Sequence, residues 1–323
     1  MVRPWTDLFF SSSRLGILSP RRWLHRALLR GLRAPRVPHP LPLEQRSGGD
    51  LRVSSHRIPT ANGRQLASWM VLPDPPSMSP PAVVQVMHGW GANASMMWDV
   101  VPQLLHAGFA AQLLDARCHG DSDEEPFTSL PRFAQDMQAG LHWLQAFEQV
   151  DGRRTALLGH SVGAAAALLL ASGADQELPV PTYPPRAVVS LSVFAHPAEV
   201  MHRFLEDRSI PRRILGDAIL AHVQQVIGAR FDDIAPLSTL PRLRMPVLLV
   251  HGRQDRTVPM RDAIRLQCAA PCSRLLLVDG DHDLRKALAP HASTVCAFLA
   301  ASLGTRDEMG AELGGRNSNH LAK

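Results

Sequence analysis

From Leu51 onward, short apolar runs alternate with stretches in which apolar residues repeat at helical spacing. This alternation is typical of an α/β domain, in which helices pack on both faces of a mostly parallel sheet. The pattern predicts eight strands, of which the first two form an antiparallel hairpin that turns at Asn62-Gly63. The predicted strands are 51–58, 65–72, 82–87, 110–114, 155–158, 187–193, 246–250 and 274–278. The predicted helices are 96–106, 130–147, 162–171, 260–267 and 290–303.

The chain divides into a basic extension (1–50), the α/β domain (51–303) and a polar, glycine-containing tail (304–323). We expect the tail to be disordered. After Ser19-Pro20 the extension has apolar and arginine residues on opposite sides of a predicted amphipathic helix, and a proline-rich linker, 35–42, follows it. Within the domain, residues 194–245 show helical patterns without a strand. This segment is predicted to form a short helical lid.

The net charge of +5 is concentrated in the extension. Residues 1–46 contain nine arginines and two acidic residues, so the rest of the chain is slightly acidic. The predicted domain therefore lacks the basic surface of a nucleic-acid-binding protein. The basic helix is expected to lie on an anionic membrane surface, to meet a partner, or to dock on its own domain, and a partly disordered extension is the remaining alternative.

The sequence favours a cytoplasmic protein, with peripheral membrane contact left open. Its four cysteines show no paired metal-ligand spacing and are interpreted as reduced thiols. No apolar run reaches the length of a membrane span, and Arg14 and Pro20 interrupt the runs that a cleaved signal peptide would need. We expect neither a metal nor a cofactor.

A candidate nucleophile, Ser161, lies between a predicted strand and an alanine-rich helix, in the motif Gly159-His160-Ser161-Val162-Gly163. A serine on a sharp strand-to-helix turn presents its hydroxyl above the sheet. The glycines leave room for the close approach of the two backbones. The turn also places Ser161 at the helix amino terminus, where negative charge is stabilised.

A serine hydroxyl needs a base, and the base needs an acid that orients it. Asp255 follows the strand 246–250, and His282 follows the strand 274–278, both at the sheet edge where catalytic groups gather. They also occur in the expected order Ser, Asp, His. Other histidines near strand ends precede the acid, and these are His88, His119, His160 and His251. The predicted catalytic residues are therefore Ser161, Asp255 and His282.

The developing oxyanion needs hydrogen-bond donors. The strand 82–87 leads into His88-Gly89-Trp90-Gly91-Ala92-Asn93, a glycine-containing loop that can turn an amide inward. We assign the two donors to the backbone N–H groups of Trp90 and Val162. The Trp90 side chain then either shapes the pocket or simply packs.

With these motifs, residues 51–303 resemble the α/β-hydrolase superfamily, in particular its serine esterase, lysophospholipase and aminopeptidase-like branch. The loop Asp115-Ala116-Arg117-Cys118-His119-Gly120-Asp121-Ser122 is a further marker, although relatives commonly have glycine at the position of Cys118. The resemblance implies an α/β-hydrolase fold. It also implies that Arg117, His119 and Ser122 support the nucleophile turn rather than react.

These features predict a serine hydrolase that cleaves carboxylic esters of small molecules through an acyl-enzyme, with a short or medium acyl chain. Apolar residues near the lid and the oxyanion loop are either ordinary core or the lining of the acyl pocket, and the candidates are Met97, Trp98, Phe194, Met201 and Phe204. A peptidase or amidase would need a lid carboxylate such as Glu199, Glu206 or Asp207. An acyltransferase would use the same triad, and a non-catalytic ligand-binding module is the remaining alternative.

Overall fold

Eight strands form one sheet in the computed structural model, which describes residues 33–40, 51–74, 79–173, 181–206 and 216–304, together with Arg26 and Leu29. The strands are β1 (Arg52–Pro59), β2 (Gln65–Leu72), β3 (Val83–Met87), β4 (Ala110–Leu114), β5 (Thr155–His160), β6 (Ala187–Leu191), β7 (Val247–Gly252) and β8 (Arg274–Val278). Their order across the sheet is β1-β2-β4-β3-β5-β6-β7-β8. β2 pairs antiparallel with β1 and β4, and every other neighbouring pair is parallel. The predicted mostly parallel, eight-stranded sheet is confirmed.

Helices connect the strands along the chain. Within the described residues they are α1 (Val101–His106), α2 (Leu130–Ala146), α3 (Val162–Ser172), α4 (Pro197–Glu206), α5 (Asp217–Ile227), α6 (Phe231–Ile234), α7 (Pro236–Thr239), α8 (Met260–Ala269), α9 (Arg285–Leu288) and α10 (Ala292–Leu303). Short 3₁₀ helices span Ala94–Val100, Leu240–Arg242 and Ala289–His291. The first of these precedes α1 directly, so the helix predicted at 96–106 has two parts.

The helices cover both faces of the sheet, as predicted. On one face α2, α3, α5 and α8 enclose a hydrophobic core with the inward side chains of the strands. On the other face the 3₁₀ helix Ala94–Val100, α1 and α10 enclose a second core. The parallel strands between the two layers are buried on both sides, which accounts for their nearly continuous apolar sequences.

The central strands also carry two buried glutamines. The Gln85 amide in β3 donates to Gln112 Oε1 in β4 at 2.9 Å and to the Met137 carbonyl of α2 at 3.0 Å. These bonds reduce the cost of burying polar groups in the core. A Cβ on Gly140 would lie 2.2 Å from Gln85 Nε2, so glycine makes room for this pair.

The segment 194–245 contains α4 to α7 and the 3₁₀ helix Leu240–Arg242, without a strand among its described residues. Its role as a lid stays a prediction. The amphipathic helix expected near the amino terminus lies outside the described residues except for Arg26 and Leu29, which are helical, and the tail 305–323 lies outside them entirely. No helix in the described ranges has both the length and the apolar character needed to cross a membrane.

Candidate active site

Ser161 occupies the turn between β5 and α3. Its φ of 53° and ψ of −116° place a non-glycine residue in a rarely populated backbone region, which costs about 1–3 kcal/mol and is characteristic of functional sites. The surrounding glycines are sterically required: a Cβ on Gly163 would lie 2.3 Å from the His88 carbonyl oxygen, and a Cβ on Gly159 would lie 2.4 Å from the Gly163 backbone. The motif therefore forms the sharp turn that its sequence predicts.

Asp255 and His282 are brought together across the ends of β7 and β8. His282 Nδ1 lies 2.8 Å from Asp255 Oδ2, while Asp255 Oδ1 accepts from the N–H groups of Thr257 at 2.9 Å and Val258 at 2.7 Å. Burial alone would raise the pKa of Asp255, but the hydrogen bonds from His282 and Val258 lower it below its ordinary value. Because a carboxylate only accepts, His282 carries a proton on Nδ1, so the lone pair of the neutral ring is on Nε2.

The loops that carry the acid and the base are joined through their backbones. The Gln254 N–H donates to the Gly280 carbonyl at 3.0 Å, and the Arg253 N–H donates to the Val278 carbonyl at 2.9 Å. A Cβ on Gly252 would lie 2.4 Å from the Gly280 carbonyl oxygen. This close approach holds the two loops in one arrangement.

His160 connects the base loop to the nucleophile turn. Its Nε2 lies 2.7 Å from the His282 carbonyl oxygen, and the two ring centroids are 4.9 Å apart. Burial and the neighbouring His282 ring lower the pKa of His160 to about 4, so the neutral ring donates through Nε2. No hydrogen bond joins the Ser161 hydroxyl to the His282 ring within the described part of the chain; in substrate-free sites this contact is often long and tightens on binding.

The predicted oxyanion loop lies against the nucleophile turn. A Cβ on Gly89 would lie 3.3 Å from Ser161 Cβ. Val162 begins α3, where a backbone N–H has no acceptor within the helix. The Trp90 ring is 39% exposed and stacks on Phe133 with a centroid separation of 6.5 Å. The Trp90 side chain therefore packs on the domain at the edge of the site.

Two buried histidines, both rejected as the base from their order in the chain, hold the oxyanion loop. His88 Nδ1 lies 2.7 Å from the Gly89 carbonyl oxygen, and His119 Nε2 accepts from the Gly91 N–H at 3.1 Å. Burial lowers the pKa of His88, and burial together with the His88 ring lowers the pKa of His119 to about 3. Both rings are therefore neutral and serve as hydrogen-bonding groups.

The loop after β4 keeps its turn despite Cys118. This residue has a φ of 67°, a conformation in which glycine is favoured, and its sulfur accepts from the Glu125 N–H at 3.3 Å. Arg117 forms a buried ion pair with Asp136 at 2.6 Å. The Ser122 hydroxyl accepts from the Ala67 N–H at 2.8 Å and donates to the Asp115 carbonyl at 2.6 Å. Arg117 thus ties this loop to α2, and Ser122 ties it to β2.

A cleft of about 560 Å³ lies beside His282. Its lining includes polar residues to which the sequence patterns assigned no role: Gln254, Arg256, Thr257, Asp281, Asp283 and Arg285. A smaller apolar cavity of about 50 Å³ shares Met96, Met97 and His160 with the cleft. It continues between α9 and α10, where its walls include Leu284, Leu288, Ala292 and Val295.

The five residues proposed for the acyl pocket are not brought together. Met97 lines both the cleft and the apolar cavity, whereas Trp98 is buried in the core on that face of the sheet. Phe194 and Met201 belong to the core on the opposite face, and Phe204 is 45% exposed. Helical spacing identified these residues as apolar but did not determine which face of the sheet each would meet.

Residues 86–298 match the model of the alpha/beta hydrolase family. The uncharacterized protein YfhR of Escherichia coli is 25% identical over 230 residues, which cover 68% of this chain and 70% of YfhR. The pimeloyl-[acyl-carrier protein] methyl ester esterase of Neisseria meningitidis is 28% identical over 248 residues, covering 67% and 90% of the two chains. The esterase Pf2001 of Pyrococcus furiosus superposes with a TM-score of 0.65 at 20% identity, covering 84% of this chain and 98% of that one.

Proposed function

The chain belongs to the alpha/beta hydrolase family and is a hydrolase, and we propose that it cleaves carboxylic esters with Ser161 as nucleophile. The observation that carries the proposal is the 2.8 Å contact between His282 Nδ1 and the buried Asp255 carboxylate, beside a serine on a strained turn. The esterase names of the relative from Neisseria and the solved structure from Pyrococcus also favour an ester over other acyl substrates.

In the proposed first half-reaction, the Ser161 oxygen attacks the ester carbonyl carbon, and His282 Nε2 takes the hydroxyl proton. Asp255 stabilises the imidazolium that forms. The carbonyl oxygen becomes an oxyanion that accepts from the Trp90 and Val162 N–H groups. When the tetrahedral intermediate collapses, the bond to the leaving alcohol breaks, and His282 returns the proton to that alcohol.

In the second half-reaction, water replaces the alcohol. His282 takes a proton from water, whose oxygen attacks the acyl-enzyme, and the same two amides hold the second oxyanion. Collapse releases the carboxylic acid and restores the Ser161 hydroxyl with the proton held by His282. Every proton is moved by groups of this chain, so these steps need no metal or cofactor.

The size of the apolar cavity next to the cleft favours an ester with a short acyl chain. Its volume of about 50 Å³ leaves space for only a few carbon atoms. Its walls are mostly methionine, leucine, alanine and valine side chains, with Asp99, Gln103, His160, Asp283 and Arg285 also in the lining. We infer that the acyl group enters between Met97 and Leu288, while the leaving alcohol occupies the larger cleft beside His282.

The contacts of Glu199 count against a peptidase. That alternative requires a carboxylate that is available to a substrate amine, but Glu199 forms two bonds to Arg265, at 2.8 and 2.9 Å. The hydrogen bonds from Arg265 lower the pKa of Glu199. Glu206 is an exposed residue at the end of α4, and Asp207 lies outside the described residues.

The proposal is tested by measuring p-nitrophenyl butyrate hydrolysis by the wild-type protein and by Ser161→Ala. The expected result is a loss of about 10⁴- to 10⁶-fold in kcat for Ser161→Ala. Ser172→Ala, at the other end of α3, should retain the wild-type rate. Equal turnover by wild type and Ser161→Ala would refute the assignment, and assays with aminoacyl anilides and with added alcohol would identify a peptidase or an acyltransferase.

A further inference from the structure

A short amino-terminal segment crosses the outside of the oxyanion loop. We call Pro35–His39 the strap; it lies more than forty residues before the first residue matched by the family model. We propose that the strap positions the oxyanion loop and so contributes to transition-state stabilisation. The proposal rests on the function proposed above.

The first contact is made through Asn93, which ends the oxyanion loop. Its side-chain amide donates to the Val37 carbonyl at 2.8 Å, although Asn93 itself is fully buried. Its Oδ1 accepts from the N–H of Ser95 at 3.1 Å and from the hydroxyl of Ser95 at 2.6 Å, and so caps the 3₁₀ helix that follows. A buried amide that lost its acceptor would be destabilised, so Asn93 depends on the strap.

The second contact is made through Asp115, whose side chain is completely buried. His39 Nε2 lies 2.8 Å from Asp115 Oδ2, and the His39 side chain is itself only 7% exposed. Asp115 Oδ1 accepts from the Ala94 N–H at 2.7 Å, and Oδ2 also accepts from the Asp121 N–H at 2.7 Å. His39 and the Ala94 N–H bond the same Asp115 carboxylate. His39 therefore helps to hold Ala94, the residue after Asn93, in place.

The third contact is steric. A Cβ on Gly91 would lie 3.0 Å from Cγ of Pro35, so the strap lies directly against the backbone next to Trp90. From the inner side, Gly91 is held by its hydrogen bond to His119. Gly91, the residue that follows the proposed Trp90 donor, is thus confined between the strap and a buried histidine.

Such confinement affects catalysis because a donor stabilises the oxyanion best when it is already oriented toward the oxyanion's position before the reaction begins. A displacement of about 1 Å in a site of this kind can cost about 10²-fold in rate. None of Pro35–His39 lines the cleft or the apolar cavity, so loosening the strap should lower kcat and leave KM nearly unchanged. His39, Val37 and Pro35 are therefore positioning residues.

The test compares His39→Ala and His39→Gln with Arg33→Ala. Arg33 precedes the strap and donates to the Pro126 carbonyl at 3.1 Å, away from the oxyanion loop, so it is the matched control. For His39→Ala we expect kcat on p-nitrophenyl butyrate to fall by about 10-fold with KM within about twofold of wild type. His39→Gln keeps a donor for Asp115 and should recover most of the rate, while Arg33→Ala should match wild type.

Two further readouts separate positioning from general destabilisation. Phenylboronic acid forms a tetrahedral adduct with a nucleophilic serine, so its Ki should rise in His39→Ala by the same factor as kcat falls. Amide hydrogen exchange of the peptide containing residues 89–95 should accelerate in His39→Ala and not in Arg33→Ala. Unchanged kcat, boronate affinity and exchange in His39→Ala would overturn the proposal, as would equal losses in Arg33→Ala. If wild type itself cleaves no ester, the proposed function fails, and the exchange result alone decides the role of the strap.

Discussion

The His160 ring donates to the backbone carbonyl of His282 at 2.7 Å, and this bond joins the residue before the nucleophile to the residue that serves as base. His160 is the last residue of β5, whereas His282 lies 122 positions later in the loop after β8. The bond fixes the position of His282, and with it the loop that carries the base, relative to the turn that carries Ser161. His160 is therefore a positioning residue for the proposed reaction.

Replacing His160 by leucine should reduce kcat by about 10-fold, because the His282 loop loses its hydrogen bond to the nucleophile turn. His160→Gln can place an amide donor near the position of Nε2 and should retain more activity than the leucine variant. Steady-state kinetics with p-nitrophenyl butyrate measure the effect, and thermal unfolding reports any loss of fold. Equal kinetics for His160→Leu and wild type would contradict this role.

Asp255→Asn should lower kcat by about 10⁴-fold, a magnitude known from serine proteases in which the corresponding acid was replaced. The asparagine amide cannot hold the proton on His282 Nδ1 as the carboxylate does, so Nε2 ceases to be available as base. Asp279→Asn is the control, because this carboxylate lies on the same base loop, is 84% exposed and pairs with Arg253. Comparable losses in the two variants would show that charge near the site, rather than the Asp255 to His282 contact, is responsible.

The sequence predicted the turn at Ser161 and the contact between Asp255 and His282, but not the residues that surround them. Ser161, Asp255 and His282 each follow a strand of a parallel sheet, and carboxyl ends of such strands meet at one edge. The glycines of the motif around Ser161 also indicate its geometry. A Cβ on Gly163 would lie 2.3 Å from the His88 carbonyl oxygen, so only glycine fits at this position. These local rules were sufficient for the strand pattern and for the contact between Asp255 and His282.

The strap could not be predicted in this way. His39 and Asp115 are separated by 76 positions, and neither belongs to a periodic pattern that would indicate their contact. The same limit applies to Phe194 and Met201, whose apolar character was evident but whose side of the sheet depends on how residues 194–245 fold back. Cys118 is a further example, because its positive φ is imposed by the surrounding loop and not by its own preference.

Ala292→Leu should shorten the acyl chains that the protein accepts. Ala292 lines the apolar cavity, and three additional carbon atoms would occupy much of its volume of about 50 Å³. We expect p-nitrophenyl acetate to be cleaved at nearly the wild-type kcat/KM, while hexanoate cleavage falls by about 10-fold or more. Ala297→Leu, an exposed position on the same helix, is the control. An unchanged chain-length profile in Ala292→Leu would place the acyl group elsewhere.

The stability of the protein should fall on mild acidification. A histidine in the unfolded chain titrates near a pKa of about 6.5, whereas the pKa of His160 is lowered to about 4 and that of His119 to about 3. Between these values the unfolded chain binds more protons, so the free energy of unfolding rises with pH up to about 6.5. Urea unfolding at several pH values measures the slope, which His119→Asn should reduce. A free energy that stays constant across this window would contradict the neutral state of the buried rings.

The most direct test of the central claim is to map the residue modified by a fluorophosphonate probe. The probe reacts with a serine activated by a base, so we predict a single adduct on the peptide that contains Ser161, formed about 10³-fold more slowly or worse in His282→Ala. An adduct on a different residue, or the same labelling rate with and without His282, would contradict the claim that these residues form one catalytic unit.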